Sequence, residues 1–174
     1  MAYLPREERR AAILEATIRV LRSDGFAGVS ARSVAAAVGG SPGLIHQHFS
    51  SVTSLITSAW QQYVAESLNE FEAAIRDEEH DPMREFFGNH VDSGQRDEIG
   101  IWVSAWAHAL RSPEFGVVFT ETLTDLTNAL RAASPGLTEA AAERTVLLGF
   151  ALAGMQQIAP ERYGPERVLA IIDG

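Results

Sequence analysis

The side chains best able to do chemistry in the first half of the chain crowd between Ser41 and His48, in the run Ser41-Pro42-Gly43-Leu44-Ile45-His46-Gln47-His48. His46 and His48 suggest a metal pair. On a helix, however, residues two apart do not share a face, and no acid or cysteine stands near them in sequence. No metal site is expected. His90, His108 and several acids are present further on, without a Ser/His/Asp spacing, a phosphate-cradling glycine loop or an HExxH motif. Neither enzyme activity nor a cofactor is therefore expected. With no cysteine among 174 residues, disulfides, zinc–thiolate sites and thiol catalysis are excluded together.

The elements that must position this run read as helices, and no stretch alternates like a strand. A first helix starts near Arg6, outside Pro5, with Glu7 and Glu8 in its first turn, where the helix dipole favours acids. Ile13, Ala16, Thr17, Val20 and Leu21 give it one apolar face, and Gly25 ends it. Phe26 and Val29 pack inward across the connection. Ser30 caps a second helix over Ala31 to Val38, Gly39-Gly40 breaks it, and Ser41 caps a third that has Pro42 at its first position and runs to about Phe49. Residues 30–49 thus have the layout of a helix-turn-helix, in which the first helix fixes the angle at which the second enters a DNA groove.

Ser50 or Ser51 caps a long fourth helix reaching about Asp77, striped by Ile56, Trp60, Tyr63, Val64, Leu68, Phe71 and Ile75. After an acidic loop over 77–82, further helices are expected near 83–90, 97–111, 113–133, 138–158 and 165–172, with breaks at Ser93-Gly94, Ser112-Pro113, Ser134-Pro135-Gly136 and Ala159-Pro160. The fold class is all-α with about nine helices, divided into a head over 1–50 and a body over 51–174.

Composition agrees with a recognition protein. Apolar residues are 46% and charged residues 21% of the chain, ordinary for a globular protein. The net charge of -9 is unevenly spread. Residues 1–50 hold six arginines and four acids, whereas the remainder holds eight arginines and nineteen acids. A basic head on an acidic body presents one end to a polyanion. The amino terminus has no signal-peptide pattern and no apolar run approaches the about 20 residues a membrane span needs, so a cytoplasmic location is expected.

Two stretches carry a resemblance. Gly25-Phe26-Ala27-Gly28-Val29-Ser30-Ala31-Arg32-Ser33-Val34-Ala35, followed by Gly39-Gly40-Ser41-Pro42-Gly43-Leu44-Ile45-His46-Gln47-His48-Phe49 and Leu55, resembles the tetracycline-repressor (TetR) family over about residues 10–56. Ile101-Trp102-Val103-Ser104-Ala105-Trp106-Ala107-His108-Ala109-Leu110-Arg111-Ser112-Pro113-Glu114-Phe115 resembles the choline-responsive subgroup of such regulators. The first resemblance implies a transcription regulator that binds a double-stranded DNA operator as a homodimer and answers to a small-molecule effector, with repression the commoner mode. It assigns Arg32 to a base or phosphate, for which a guanidinium fork suits both. Ser41, Pro42, Gly43, Leu44 and Gln47 fall at the DNA, and Gln47 is the reader of choice because an amide can bond adenine bidentately. His46 and His48 fall against phosphates, as positioning contacts. Arg6, Arg9 and Arg10 either track the DNA backbone or are solvated helix-start charges. Two residues depart from the family. Val52 stands where it commonly has a lysine that meets a phosphate, and Gly40 where it tends to have a branched apolar residue.

The body is rich in bulky groups: Phe86, Phe87, His90, Trp102, Trp106, His108, Phe115, Phe119, Phe150 and Met155. Their helical spacing fits core packing. Since the family binds effectors inside this domain, Trp102, Trp106 and His108 lead the expected effector contacts, joined by Phe119, Phe86 and Met155; an aromatic wall suits a cation or a flat apolar molecule alike. The helix over 138–158 has almost no polar face, and Gly149, Ala153 and Gly154 allow close approach. It is either the dimer interface, forming a four-helix bundle with the helix over 165–172 of each subunit, or the central helix of a monomer core. The alternative function is a helical small-molecule- or protein-binding module with lost or weakened DNA binding, for which Val52 and Gly40 are the encouragement.

Overall fold

The computed structural model describes residues 5–76, 81–91 and 96–173, apart from the side chains of residues 96 and 97. Among these residues every regular element is helical. They are α1 (Arg6–Asp24), α2 (Ala31–Val38), α3 (Pro42–His48), α4 (Val52–Ala74), α5 (Pro82–Phe86), α6 (Gly88–Val91), α7 (Arg96–Ala109), α8 (Pro113–Ala133), α9 (Glu139–Ile158) and α10 (Pro165–Ile172), with a 3-10 turn at Phe26–Gly28. Ten helices thus stand where about nine were expected. The extra one arises because the 83–90 segment divides at Phe87, whose side chain is buried in a small core while Gly88 behind it gives helix little support. The expected acidic loop at 77–82 and the break at Ser93-Gly94 fall largely or wholly outside the described residues.

Local chemistry sets the helix starts. Ser30 and Ser51 each close a reciprocal box with the serine three residues on. The cap hydroxyl accepts from the backbone N–H of Ser33 or Ser54, and that serine's hydroxyl accepts from the cap N–H. Asp81, Ser112 and Thr138 cap α5, α8 and α9 through their side chains. Ser41 precedes α3 in extended conformation, but its side chain makes no cap hydrogen bond; the expected capping role is not seen. Between α2 and α3 the chain reverses through Gly39, at φ 71° and ψ 35°, a left-handed conformation that favours glycine.

At the amino-terminal end α1 packs on α2 and α4, and α2 on α3; further along the chain α7, α8 and α9 pack on one another and α4 on α8. One core runs through both. It joins Ile13, Leu21, Val34, Ile45 and Phe49 to Leu55, Trp60, Ile101, Phe115 and Phe150. Trp60, wholly buried, donates from Nε1 to Thr122 Oγ1 at 3.0 Å and so ties α4 to α8. A second cluster around Phe87, Leu152 and Val168 seats α5, α9 and α10 together. The expectation that α9 would be buried on most sides needs correction for the single chain: Leu147 is 46% and Ile158 77% exposed. Val146, Phe150 and Ala153 fill the inner face, and Leu147, Ala151, Gly154 and Ile158 form an outer apolar stripe.

Candidate DNA-binding face and effector cavity

The head holds α3 by its inward side. Ile45 and Phe49, four residues apart, are both buried, and Leu44 packs half-buried beside them. That leaves Pro42, Gly43, His46 and Gln47 exposed together on the opposite side, with Ser41 exposed at the start and His48 half-buried at the end. Arg32 is exposed on α2. The structure therefore brings Ser41, Pro42, Gly43, His46 and Gln47 to one outer surface, while Leu44 turns toward the core.

Arg10 braces this arrangement. Its Nη1 donates to the His48 carbonyl at 3.2 Å and its Nη2 to Ser58 Oγ at 3.4 Å, and the guanidinium lies 4.2 Å above the Phe49 ring. One side chain of α1 thus grips both the end of α3 and the first turns of α4. Arg19 donates to the Ala37 carbonyl at 3.4 Å and holds the end of α2. Burial, then the charges of Arg6, Arg9 and Arg10, hold the His48 pKa below its usual value, with Glu7 opposing them. Positive charge is thus gathered at the end of α3.

The two departures from the family pattern have structural counterparts. A Cβ on Gly40 would stand 2.8 Å from Leu44 Cδ2, so the leucine fills the space that a larger side chain would need. Val52 packs half-buried against the core at the start of α4. The exposed Ser50 and Ser51 and the amide end of α4 remain at this surface.

In the body a cavity of about 390 Å³ opens between α4, α5, α6, α7, α8 and α9, and Arg22 of α1 reaches its wall. Its size is that of a small-molecule site. Trp102 and Phe150 meet edge to face at 5.8 Å on one side, and Phe71 and Phe86 at 6.3 Å on the other. Among the described residues, four carboxylates, Glu66, Glu70, Glu85 and Glu98, share the lining with Arg22. Glu98 is the most engaged. Arg22 Nε lies 2.9 Å from its Oε1, and the Tyr63 hydroxyl donates to its Oε2 at 2.9 Å. Burial, reinforced by the Glu98 charge and hydrogen bond, pushes the Tyr63 pKa far up, so this phenol stays a donor. Aromatic walls and surplus carboxylates can hold an organic cation through ring quadrupoles and charge together.

Of the residues expected from sequence to meet an effector, Trp102 and Phe86 line this cavity. The other four lie elsewhere. Trp106 is 40% exposed, its ring edge-on to Phe150 from outside. His108 stacks on Phe26 at 5.0 Å and meets Phe115 at 5.0 Å, wedged between head and body. Phe119 belongs to the core against Trp60 and Phe150, and Met155 is half-buried on α9 away from the lining. Glu98 and Arg22 are not singled out by the sequence, where Tyr63 reads as part of the α4 stripe and His90 as a bulky group and a histidine outside any catalytic motif. The spacing of Glu98 and Trp102, four apart on α7, was the one sequence signal that these two share a face.

Residues 13–59 match the family model described as bacterial regulatory proteins, tetR family. No curated protein matches the chain. Solved structures share its fold over nearly the whole length. A member of the TetR family from Streptomyces coelicolor A3 is 26% identical, with 95% of this chain and 96% of that one covered and a TM-score of 0.72. A transcriptional regulator from Saccharomonospora viridis in complex with choline is 18% identical (97% and 95% covered, TM-score 0.76). The multidrug binding protein EbrR complexed with proflavin is 24% identical (95% and 98% covered, TM-score 0.72).

Proposed function

We infer that this chain, whose amino-terminal segment carries the tetR-family helix-turn-helix, is a ligand-responsive transcription regulator that grips a palindromic operator as a homodimer and releases it when an organic cation fills the body cavity. The head, residues 1–50, reads DNA through Gln47 and the exposed edge of α3, with Arg32, His46 and His48 on bases or phosphates. The body, residues 51–174, binds effector and partner subunit. The observation that carries the effector half is the meeting of Arg22, from the head, with Glu98 in the cavity wall at 2.9 Å. A cation entering the cavity competes for that carboxylate, and whatever shifts Arg22 shifts α1. DNA and cation then weaken each other reciprocally. Choline and proflavin, named with two neighbours of the same fold, are both organic cations.

The outer stripe of α9, Leu147, Ala151, Gly154 and Ile158, is the apolar surface offered to a twofold partner, and α10 is the second helix expected there. Two heads would then address half-sites about 34 Å apart. Val52, turned into the core where a phosphate-binding lysine is usual, keeps a second reading in play: a helical small-molecule- or protein-binding module with weakened DNA contact.

Selection of bound duplexes from a random pool, followed by anisotropy titration at several salt concentrations, separates the two. The regulator reading expects a palindrome whose affinity falls steeply with salt and falls again when proflavin is added. Absence of any preferred duplex sinks it.

A further inference from the structure

His90, on α6, meets the cavity with one ring nitrogen committed and, among the described residues, no hydrogen-bond partner for the other. Gln156 of α9 holds the residue at two points: its Nε2 donates to the His90 backbone carbonyl at 2.7 Å, and its Oε1 lies 2.8 Å from His90 Nδ1. The amide has one workable orientation, because turning it over would set two acceptor oxygens against each other. Oε1 is an acceptor, so Nδ1 carries the hydrogen. In the neutral ring Nε2 is then a pure acceptor. Burial keeps the imidazole pKa below its usual value, outweighing the opposing pull of the Gln156 bond, so the ring is neutral at pH 7.

The space before Nε2 is open because residue 149 is glycine. A Cβ there would stand 3.8 Å from His90 Nε2 and 3.5 Å from the Phe86 ring, and both His90 and Gly149 line the cavity. Among the described residues none hydrogen-bonds Nε2. The carboxylates across the cavity attract positive charge without asking for a particular hydrogen. A fixed lone pair does ask for one.

We propose that His90 Nε2, locked by Gln156 and left accessible by Gly149, selects among effectors by accepting a hydrogen bond from an N–H or O–H group of the bound cation. The class preferred is an organic cation bearing an amine or hydroxyl donor, over a cation of the same shape whose nitrogens are fully alkylated. This inference rests on the cation reading of the cavity, and goes beyond it by naming what the cation must carry.

The test compares two dyes of one charge and one ring system, each methylated at the ring nitrogen so that no ring N–H remains: proflavin with its free exocyclic amines and acridine orange with those amines fully methylated. Fluorescence titration of the full chain measures both against wild type, His90→Phe and Gly149→Ala. Wild type is expected to prefer proflavin by roughly three- to tenfold, the value of one hydrogen bond. His90→Phe should bring the ratio close to one while retaining acridine orange. Gly149→Ala, whose added methyl meets nothing closer than 3.5 Å, keeps the helix and should cost proflavin more than acridine orange; it answers the question if His90→Phe does not fold. Equal affinities in wild type, or a preference that survives both variants, would overturn the proposal and leave the cation reading standing. Failure of wild type to bind either dye would overturn both.

Discussion

Arg22 and Glu98 join the last turn of α1 to the first turn of α7 at 2.9 Å, across the junction between head and body. Their side chains are 41% and 25% exposed, so the pair adds little to folding, at most about 1 kcal/mol. Its place at the cavity wall matters more. Arg22→Ala should leave folding nearly unchanged and cation binding equal or tighter, while shrinking the loss of DNA affinity that the cation causes. Glu98→Gln should weaken the cation itself. Anisotropy titrations with and without proflavin decide both, and an undiminished effect of the cation in Arg22→Ala would remove the pair from the route.

Ile45 and Gln47 lie on opposite sides of α3 and should fail in different ways. Ile45, 2% exposed, anchors the helix. Ile45→Ala should cost about 2–5 kcal/mol of folding stability. Gln47→Ala should leave melting unchanged and relax one operator position by roughly 1–3 kcal/mol. Competition with operators varied base by base, beside thermal melts, checks the division.

Arg10 and Arg32 contrast as brace and contact. Arg10→Ala removes two hydrogen bonds and a ring contact from the junction of α3 and α4, and is expected to lower stability by about 1–3 kcal/mol. It should weaken binding to all duplexes alike. Arg32→Ala, at an exposed position, should keep the melting temperature and flatten the salt dependence by about one phosphate's worth. An unchanged slope would take Arg32 off the phosphates, and an unchanged affinity as well would take it off the DNA.

What could be read in the sequence follows from how local each cause is. Ser30, Gly39, Pro42 and Pro113 act within one turn of themselves, so α2, α3 and α8 were placed to within a residue. The outward edge of α3 was legible because a single helix of seven residues carries most of it. The cavity draws on six helices and α1, and Tyr63, His90 and Glu98 converge from distant parts of the chain without any period to betray them. Trp106 and His108 lie outside this cavity for the same reason: residue type marks them as fit for a ligand, but the packing of α7 turns one outward and one against Phe26. Why the Ser41 side chain leaves α3 uncapped has no explanation in the packing.

A pH dependence follows from His48. Free protein holds its pKa low through burial and then through Arg6, Arg9 and Arg10, with Glu7 opposing. A phosphate beside the imidazole would raise it. The complex then takes up a proton, and affinity should rise as pH falls from about 8 toward 6. His48→Gln should flatten that slope. His90 acts on folding in the opposite direction: its pKa is lowered in the native state, so the stability it contributes is present above about 6.5 and is lost as pH falls through the depressed value. Melts across pH 5 to 8 would show it.

The stripe on α9 gives a direct assay of assembly. Leu147→Glu with Ile158→Glu places charges at two positions exposed in the single chain, and should leave the fold intact while yielding monomer in sedimentation. Operator binding should weaken sharply, since each head alone reads half a palindrome. A dimer that survives both charges would place the interface elsewhere.

Trp60 and Trp102 touch edge to face at 4.9 Å, the first sealed in the core and the second on the cavity wall. Trp106, the third and last indole of the chain, looks out to solvent. A guest in the cavity would be expected to alter the emission of the wall indole and of the ring 4.9 Å behind it, while the outward ring, 40% exposed, should change least.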